Sequence, residues 1–130
     1  MKFYIASSFR NIETVRMAAE RLISNGFVLT YDWTHGAATS IGELETIGKS
    51  EKQAVMESDV VIIMLPAGKG SHVEMGIALG TGKQVFLYSP DETVNDLALT
   101  STFYHLPEVF KVIGTIEELI AEVCSKAAFY

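Results

Sequence analysis

One stretch constrains the fold of this 130-residue chain more than any other: Asp59 followed by Val60-Val61-Ile62-Ile63-Met64-Leu65. The run is apolar at every position instead of alternating, so a strand built from it has both faces covered. That is the signature of a central strand in a parallel sheet. It is also the longest strongly apolar run, far short of the roughly 20 residues a membrane-spanning helix needs. Around it, β-prone runs alternate with helical spacing. Phe3-Tyr4-Ile5-Ala6, Phe27 to Tyr31, Gln84 to Tyr88 and Glu108 to Val112 read as further strands. Ile12, Val15, Met17, Ala18, Leu22 and Ile23 recur at helical spacing, and Asn25-Gly26 closes that segment. Ile41 to Glu57 reads as a helix with a break or restart near Gly48-Lys49-Ser50. Ser71 to Leu79 reads as a short helix closed by Gly80, and Ile116 to Ala127 as a final amphipathic one. Asp91 to Pro107 has room for one or two helical turns. Strands alternating with helices predict an α/β fold, a five-stranded parallel sheet with helices on both faces.

The length predicts one domain spanning residues 1–130. With 48% hydrophobic residues it can build an ordinary core without covalent staples. A single cysteine, Cys124, excludes a disulfide framework within the chain and a cysteine-cluster zinc site. A formal charge of −6 gives no general attraction for nucleic acid polymers or anionic lipid. The run from Met1-Lys2 straight into Phe3-Tyr4-Ile5-Ala6 does not resemble a signal peptide. A soluble, cytoplasmic protein is expected. His35, His72 and His105 have no metal-ligand spacing with one another or with Cys124, so no metal site is expected.

In an open parallel sheet, ligands bind beyond the carboxyl ends of the strands, where strand order reverses. The candidate loops are therefore Ser7 to Asn11, Asp32 to Ser40, Pro66 to Ser71, and the segment from Ser89 onward. Gly68-Lys69-Gly70-Ser71 before a helix suits an anion, because glycines allow close approach and helix-start N–H groups point outward. Its glycine spacing fits neither a P-loop nor the dinucleotide fingerprint, and a plain tight turn is the competing account. Glu74 has two readings. Ser71-His72-Val73-Glu74 fits a capping box, with Glu74 reaching back to the Ser71 N–H. A carboxylate in the first turn, facing the same cleft as the glycines, can instead attack an anomeric carbon. Ser7 or Ser8 can cap the first helix. Arg10 opposes the helix dipole there, unless it grips a phosphate or carboxylate. Trp33, the only tryptophan, either stacks on a flat base or folds over the edge of the core. Glu51, eight residues before Asp59, is either an exposed helical glutamate or an acid that protonates a leaving group.

Three stretches together resemble the nucleoside 2-deoxyribosyltransferase family, including its 2-deoxynucleoside 5′-phosphate N-hydrolase branch. They are Tyr4-Ile5-Ala6-Ser7-Ser8-Phe9-Arg10, Tyr31-Asp32-Trp33-Thr34, and Ser58 to Lys83 with Gly68-Lys69-Gly70-Ser71-His72-Val73-Glu74-Met75-Gly76 at its centre. The resemblance runs from Lys2 to about Tyr88 and more loosely onward. It implies a flavodoxin-like three-layer sandwich and homodimers or higher homo-oligomers with shared active sites. It further implies cleavage of a nucleoside or nucleotide N-glycosidic bond by hydrolysis or transfer, with no cofactor. By the same resemblance, Glu74 is the nucleophile and Tyr4 the phenol that orients it. Glu51 stands where relatives carry an aspartate that assists the departing base. Ser8 and Arg10 match positions on the 5′ side of the nucleotide and Gly70-Ser71 the loop beside the sugar and phosphate, while Gly68 stands where relatives carry serine or aspartate; Ser7, Phe9 and Trp33 complete the expected substrate-binding set. Thr100 and Ser101 fall in the segment that enters a neighbour's site. Two alternatives stay open: a non-catalytic nucleotide sensor, and a phosphoribohydrolase of the lysine decarboxylase-like type.

Overall fold

The computed structural model describes residues 1–127. Its strands are β1 (Lys2–Ala6), β2 (Val28–Leu29), β3 (Val60–Met64), β4 (Gln84–Ser89) and β5 (Val109–Ile113). Its helices are α1 (Ile12–Ser24), α2 (Ile41–Glu57), α3 (Lys69–Gly80) and α4 (Ile116–Ala127). The five strands form one sheet in the order β2-β1-β3-β4-β5, and every pairing is parallel. This is the flavodoxin-like order, and its reversal point lies between β1 and β3.

The continuous apolarity of β3 has the cause inferred from sequence: all five of its residues are buried. Phe3, Ile5, Val60, Ile62, Met64, Phe86 and Tyr88 face one side and pack against α1 and α4. Tyr4, Ala6, Val61, Ile63, Val85 and Leu87 face the other, against α2 and α3. The period of two along each strand thus separates two cores and assigns Tyr4 to the α2–α3 side.

Three expectations change here, and the one for the segment before β5, one or two helical turns, is met. α2 runs unbroken through Gly48-Lys49-Ser50. A mid-helix glycine costs only ~1 kcal/mol against alanine, and packing of Ala54 and Val55 on the sheet holds the helix together. β2 is reduced to the two residues that pair with Lys2 and Phe3, because the edge strand has only β1 to lean on. β5 starts and ends one residue later than predicted. The segment between β4 and β5 carries two 3-10 turns, Glu92–Asn95 and Thr102–His105. No described helix is long and apolar enough to cross a membrane.

Candidate active site

The reversal point puts the loops after β1 and β3 side by side, and polar side chains lock them together. Ser7 Oγ donates to the Met64 carbonyl at 2.7 Å, and Ser8 Oγ donates to the Pro66 carbonyl at 3.3 Å. Asn11 Nδ2 donates to Ser7 Oγ and to the Pro66 carbonyl, each at 3.1 Å. From the other side, the buried Ser71 hydroxyl donates to the Ser7 carbonyl at 2.8 Å. Neither serine caps the first helical turn: Ser8 occupies the cap position of the Phe9–Asn11 turn without a side-chain bond. Both hydroxyls instead tie the loop after β1 to the loop after β3.

The capping-box reading of Ser71 and Glu74 also gives way. α3 starts at Lys69 with Gly68 as its cap, so Ser71 already lies inside the helix and its hydroxyl points to β1. Glu74 is freed from the helix start and is buried against β1. There the Tyr4 hydroxyl donates to Glu74 Oε2 at 2.5 Å, and the same hydroxyl lies 3.4 Å from Glu51 Oε2 on α2. Two carboxyl groups from two helices therefore flank one phenol from the sheet.

Electrostatics follow from that packing. Burial pushes the Glu74 carboxyl up to about 8; the Tyr4 hydrogen bond opposes the shift and the neighbouring Glu51 carboxylate adds to it. Burial, and then the negative charge of Glu74, hold the Tyr4 hydroxyl well above the ordinary phenol range. Tyr4 is accordingly a fixed donor, and the proton that can move belongs to the carboxyl pair.

Gly68 and Gly70 have no positive φ, and a Cβ added at either meets nothing within 4 Å. Neither a tight turn nor close packing within the chain requires glycine there; what both leave is open space at the start of α3. Arg10 is exposed and has no hydrogen-bond or ion-pair partner among the described residues. Trp33 is half-buried and packs on both cores, donates its indole N–H to the Ile5 carbonyl at 2.6 Å, and meets Phe9 edge-on at 5.4 Å. It does fold over the core edge, and the Phe9 ring beside it is exposed. Asp59 lies at the opposite, amino end of β3, where it accepts the Lys2 N–H.

The sequence reading missed three participants. Asn11 joins the two loops; its signal was a polar residue four positions after Ser7. Arg16 on α1 donates to the Thr34 hydroxyl and carbonyl, each at 3.0 Å, and so anchors the Trp33 loop. His72, assessed for metal spacing alone, holds the cap of α3 (below). Among the described residues, no group of three or more His, Cys, Asp or Glu is arranged to hold a metal ion.

The family model described as nucleoside 2-deoxyribosyltransferase matches residues 3–117, nearly the whole chain. The chain belongs to the nucleoside 2-deoxyribosyltransferase family. It is thereby an enzyme of the N-glycosidase and deoxyribosyltransferase type. Among solved structures, the CMP N-glycosidase BcmB of Clostridium botulinum is similar to it with a TM-score of 0.62 and 15% identity, over 95% of this chain and 98% of that one. At that identity the likeness speaks for the family's three-layer fold. No curated protein sequence matches the chain.

Proposed function

We propose that the chain cleaves the N-glycosidic bond of a nucleoside or nucleoside 5′-monophosphate through a covalent sugar–Glu74 intermediate. The observation that carries this reading is the buried contact of Tyr4 with Glu74, beside Glu51, under an open glycine loop. A capping or purely structural Glu74 has no need of a phenol donor on one side and a second carboxylate on the other. In the reaction, Glu74 gives its proton to Glu51, and the Glu74 carboxylate forms a bond to the anomeric carbon. The carbon–nitrogen bond breaks with its electron pair going to the base, and Glu51 passes the proton to that base. Water or a second base then attacks the same carbon and releases Glu74. Tyr4 donates throughout, which keeps the attacking oxygen aimed and the carboxylate stabilised.

The Lys69, Gly70 and Ser71 N–H groups at the start of α3, with the exposed Arg10 on the adjoining loop after β1, suit a 5′-phosphate. Trp33 and Phe9 offer aromatic surface for the base. BcmB is named for a nucleotide substrate, CMP; this chain is read as sharing the substrate class, not the base. We further read the chain as a single cytoplasmic domain that works as a homo-oligomer. The outer face of α3 supports the oligomer: Val73, Gly76 and Leu79 with Phe103 and Leu106 line an apolar groove of about 620 Å³ within one turn of Glu74.

The deciding experiment incubates the protein with ribo- and deoxyribonucleosides and their 5′-monophosphates, with and without a second free base, and separates products by chromatography. Base released without an acceptor and abolished in Glu74→Ala makes the chain a hydrolase. Exchange only in the presence of an acceptor makes it a transferase. Binding of a panel member without turnover by the parent replaces the enzymatic reading with a nucleotide sensor.

A further inference from the structure

The geometry points to His72 as a positioning residue that aims the start of α3 at the phosphorylated end of the substrate. The inference rests on the proposed reading, in which a nucleotide's sugar and phosphate lie against the Gly68–Ser71 loop. His72 is on the outer side of the first turn of α3, two residues before Glu74, and it touches neither Glu74 nor Tyr4. Its Nδ1 lies 2.8 Å from the Gly68 carbonyl oxygen, and its Nε2 lies 2.6 Å from the Tyr104 hydroxyl. A carbonyl can only accept, so Nδ1 carries the proton and donates it. Nε2 is left as an acceptor, and the Tyr104 O–H donates to it. The two rings also stack, with centroids 5.7 Å apart. Tyr104 is buried, and that burial raises its hydroxyl's pKa, which keeps it a donor.

Gly68 has no side chain with which to cap the helix, and no side chain caps α3 from that position. The His72 backbone N–H reaches the same Gly68 carbonyl at 3.3 Å, so both donors of one residue converge on one oxygen. The consequence lies in the peptide plane. The Gly68 carbonyl and the Lys69 N–H belong to one rigid trans unit and point in opposite directions. Pinning the oxygen therefore fixes where the Lys69 N–H points, which is away from the helix body, toward the space in front of α3. Without the imidazole, this plane is held only by the long first helical bond.

The clamp is anchored from behind. Tyr104 sits in the Thr102–His105 turn, and His105 in that turn bonds the Thr100 hydroxyl at 2.8 Å and Lys111 Nζ on β5 at 2.9 Å. The linkage from β5 through His105, Tyr104 and His72 to the Gly68 plane contains no part of the carboxyl pair. It acts on where the phosphate sits, not on the bond being broken.

The test uses three variants. His72→Leu removes both imidazole bonds; His72→Asn keeps a donor at the Nδ1 position; Tyr104→Phe removes only the hydroxyl behind the ring. Long-range 1H–15N spectra should show the Nδ1–H tautomer at His72. In His72→Leu, KM for the preferred 5′-monophosphate should rise about tenfold, equivalent to about 1.4 kcal/mol, while KM for the matching nucleoside and kcat for both stay within about twofold. His72→Asn should recover most of the loss, and Tyr104→Phe should fall between. An Nε2–H tautomer overturns the inference, as does an equal loss on phosphorylated and unphosphorylated substrates. If the parent turns over no panel member, the proposed function fails separately. The inference is then judged by calorimetric affinities of the same nucleotides and nucleosides for the parent and the three variants. Absence of a phosphate preference, or a preference unchanged in His72→Leu, sinks it.

Discussion

Tyr4 has one proton to give and two carboxyl groups within reach, and the consequences are measurable at single residues. Folded Glu74 titrates near 8 against an ordinary 4.5, so between those values the folded chain holds a proton that the unfolded chain has released. The sign is fixed by linkage: this contribution to stability is fully present below about pH 4.5 and is lost as pH rises toward about 8. Glu74→Gln removes the slope. Its stability relative to the parent should therefore rise between pH 5 and pH 8, by on the order of a few kcal/mol, while turnover falls at least about 10³-fold. A parallel pH dependence of the two proteins in thermal melts contradicts the burial argument. The reaction needs one proton on the pair, so kcat/KM should decline as pH rises through about 8. Glu51→Gln leaves Glu74 without a like charge beside it. That variant should lose the declining limb and show, at low residual rate, a limb that rises with pH and is centred below 8. At the glycine loop, stability and activity should separate. Gly70 lies in α3 with negative φ and free space at its Cβ position. Gly70→Ala should stabilise the fold by ~0.5–1 kcal/mol and still weaken nucleotide binding about tenfold or more, as read by melting and calorimetry side by side.

At the scale of elements, the site depends on two loops that side-chain hydrogen bonds tie to each other. Ser71→Ala deletes the buried donor to the Ser7 carbonyl and leaves that oxygen to be satisfied elsewhere. A loss of ~1 kcal/mol is expected, after the better helix propensity of alanine offsets part of a larger cost. Denaturant melts with an unchanged slope are the check. The same elements explain what could be read from sequence. The β3 run was legible because a strand covered on both faces has nowhere to put a polar side chain. β2 was overextended because Thr30 and Tyr31 continue its β-prone composition, although Thr30 alone of the two still bonds β1, its N–H and hydroxyl both donating to the Phe3 carbonyl. The capping-box pattern was matched at Ser71–Glu74 but forms at Thr115–Glu118, where Glu118 accepts the Thr115 N–H and Thr115 Oγ1 accepts the Glu118 N–H. Local pattern cannot separate these cases. At Glu74 the competing partner is Tyr4, seventy positions away and brought in by the β1–β3 pairing. The carboxyl pair was therefore accessible through family resemblance, whereas His72 and Tyr104 belong to a clamp whose second half lies in a segment without periodicity.

For the whole molecule, several of the apolar side chains left outside the two cores lie on α3 and in the segment before β5. Val73 is 64% exposed, Phe103 60% and Leu97 95%. Val73 and Phe103 line the α3 groove together with His72, two residues before Glu74, and Leu97 lies between the two 3-10 turns that precede β5. Such surface beside a cleft is better explained by a second copy than by water. Light scattering should give at least a dimer, and Phe103→Asp combined with Val73→Asp should give a monomer that keeps its far-ultraviolet circular dichroism. The stronger test asks whether the 97–103 segment of one protomer completes the site of the other. A chain with Glu74→Gln and an intact segment is mixed, under dissociating and reassociating conditions, with a chain that has Glu74 and a polar-substituted segment. In a two-fold dimer, each mixed pair contains one site with an intact Glu74 and an intact segment. A statistical mixture should then recover about a quarter of parental activity from two inactive preparations. Recovery at that level assigns the segment to the neighbour's site. If the segment variant is fully active as a homodimer, each protomer contains its own complete site and the oligomer serves stability alone. If it is inactive and mixing restores nothing, the segment acts within its own chain and not across the interface.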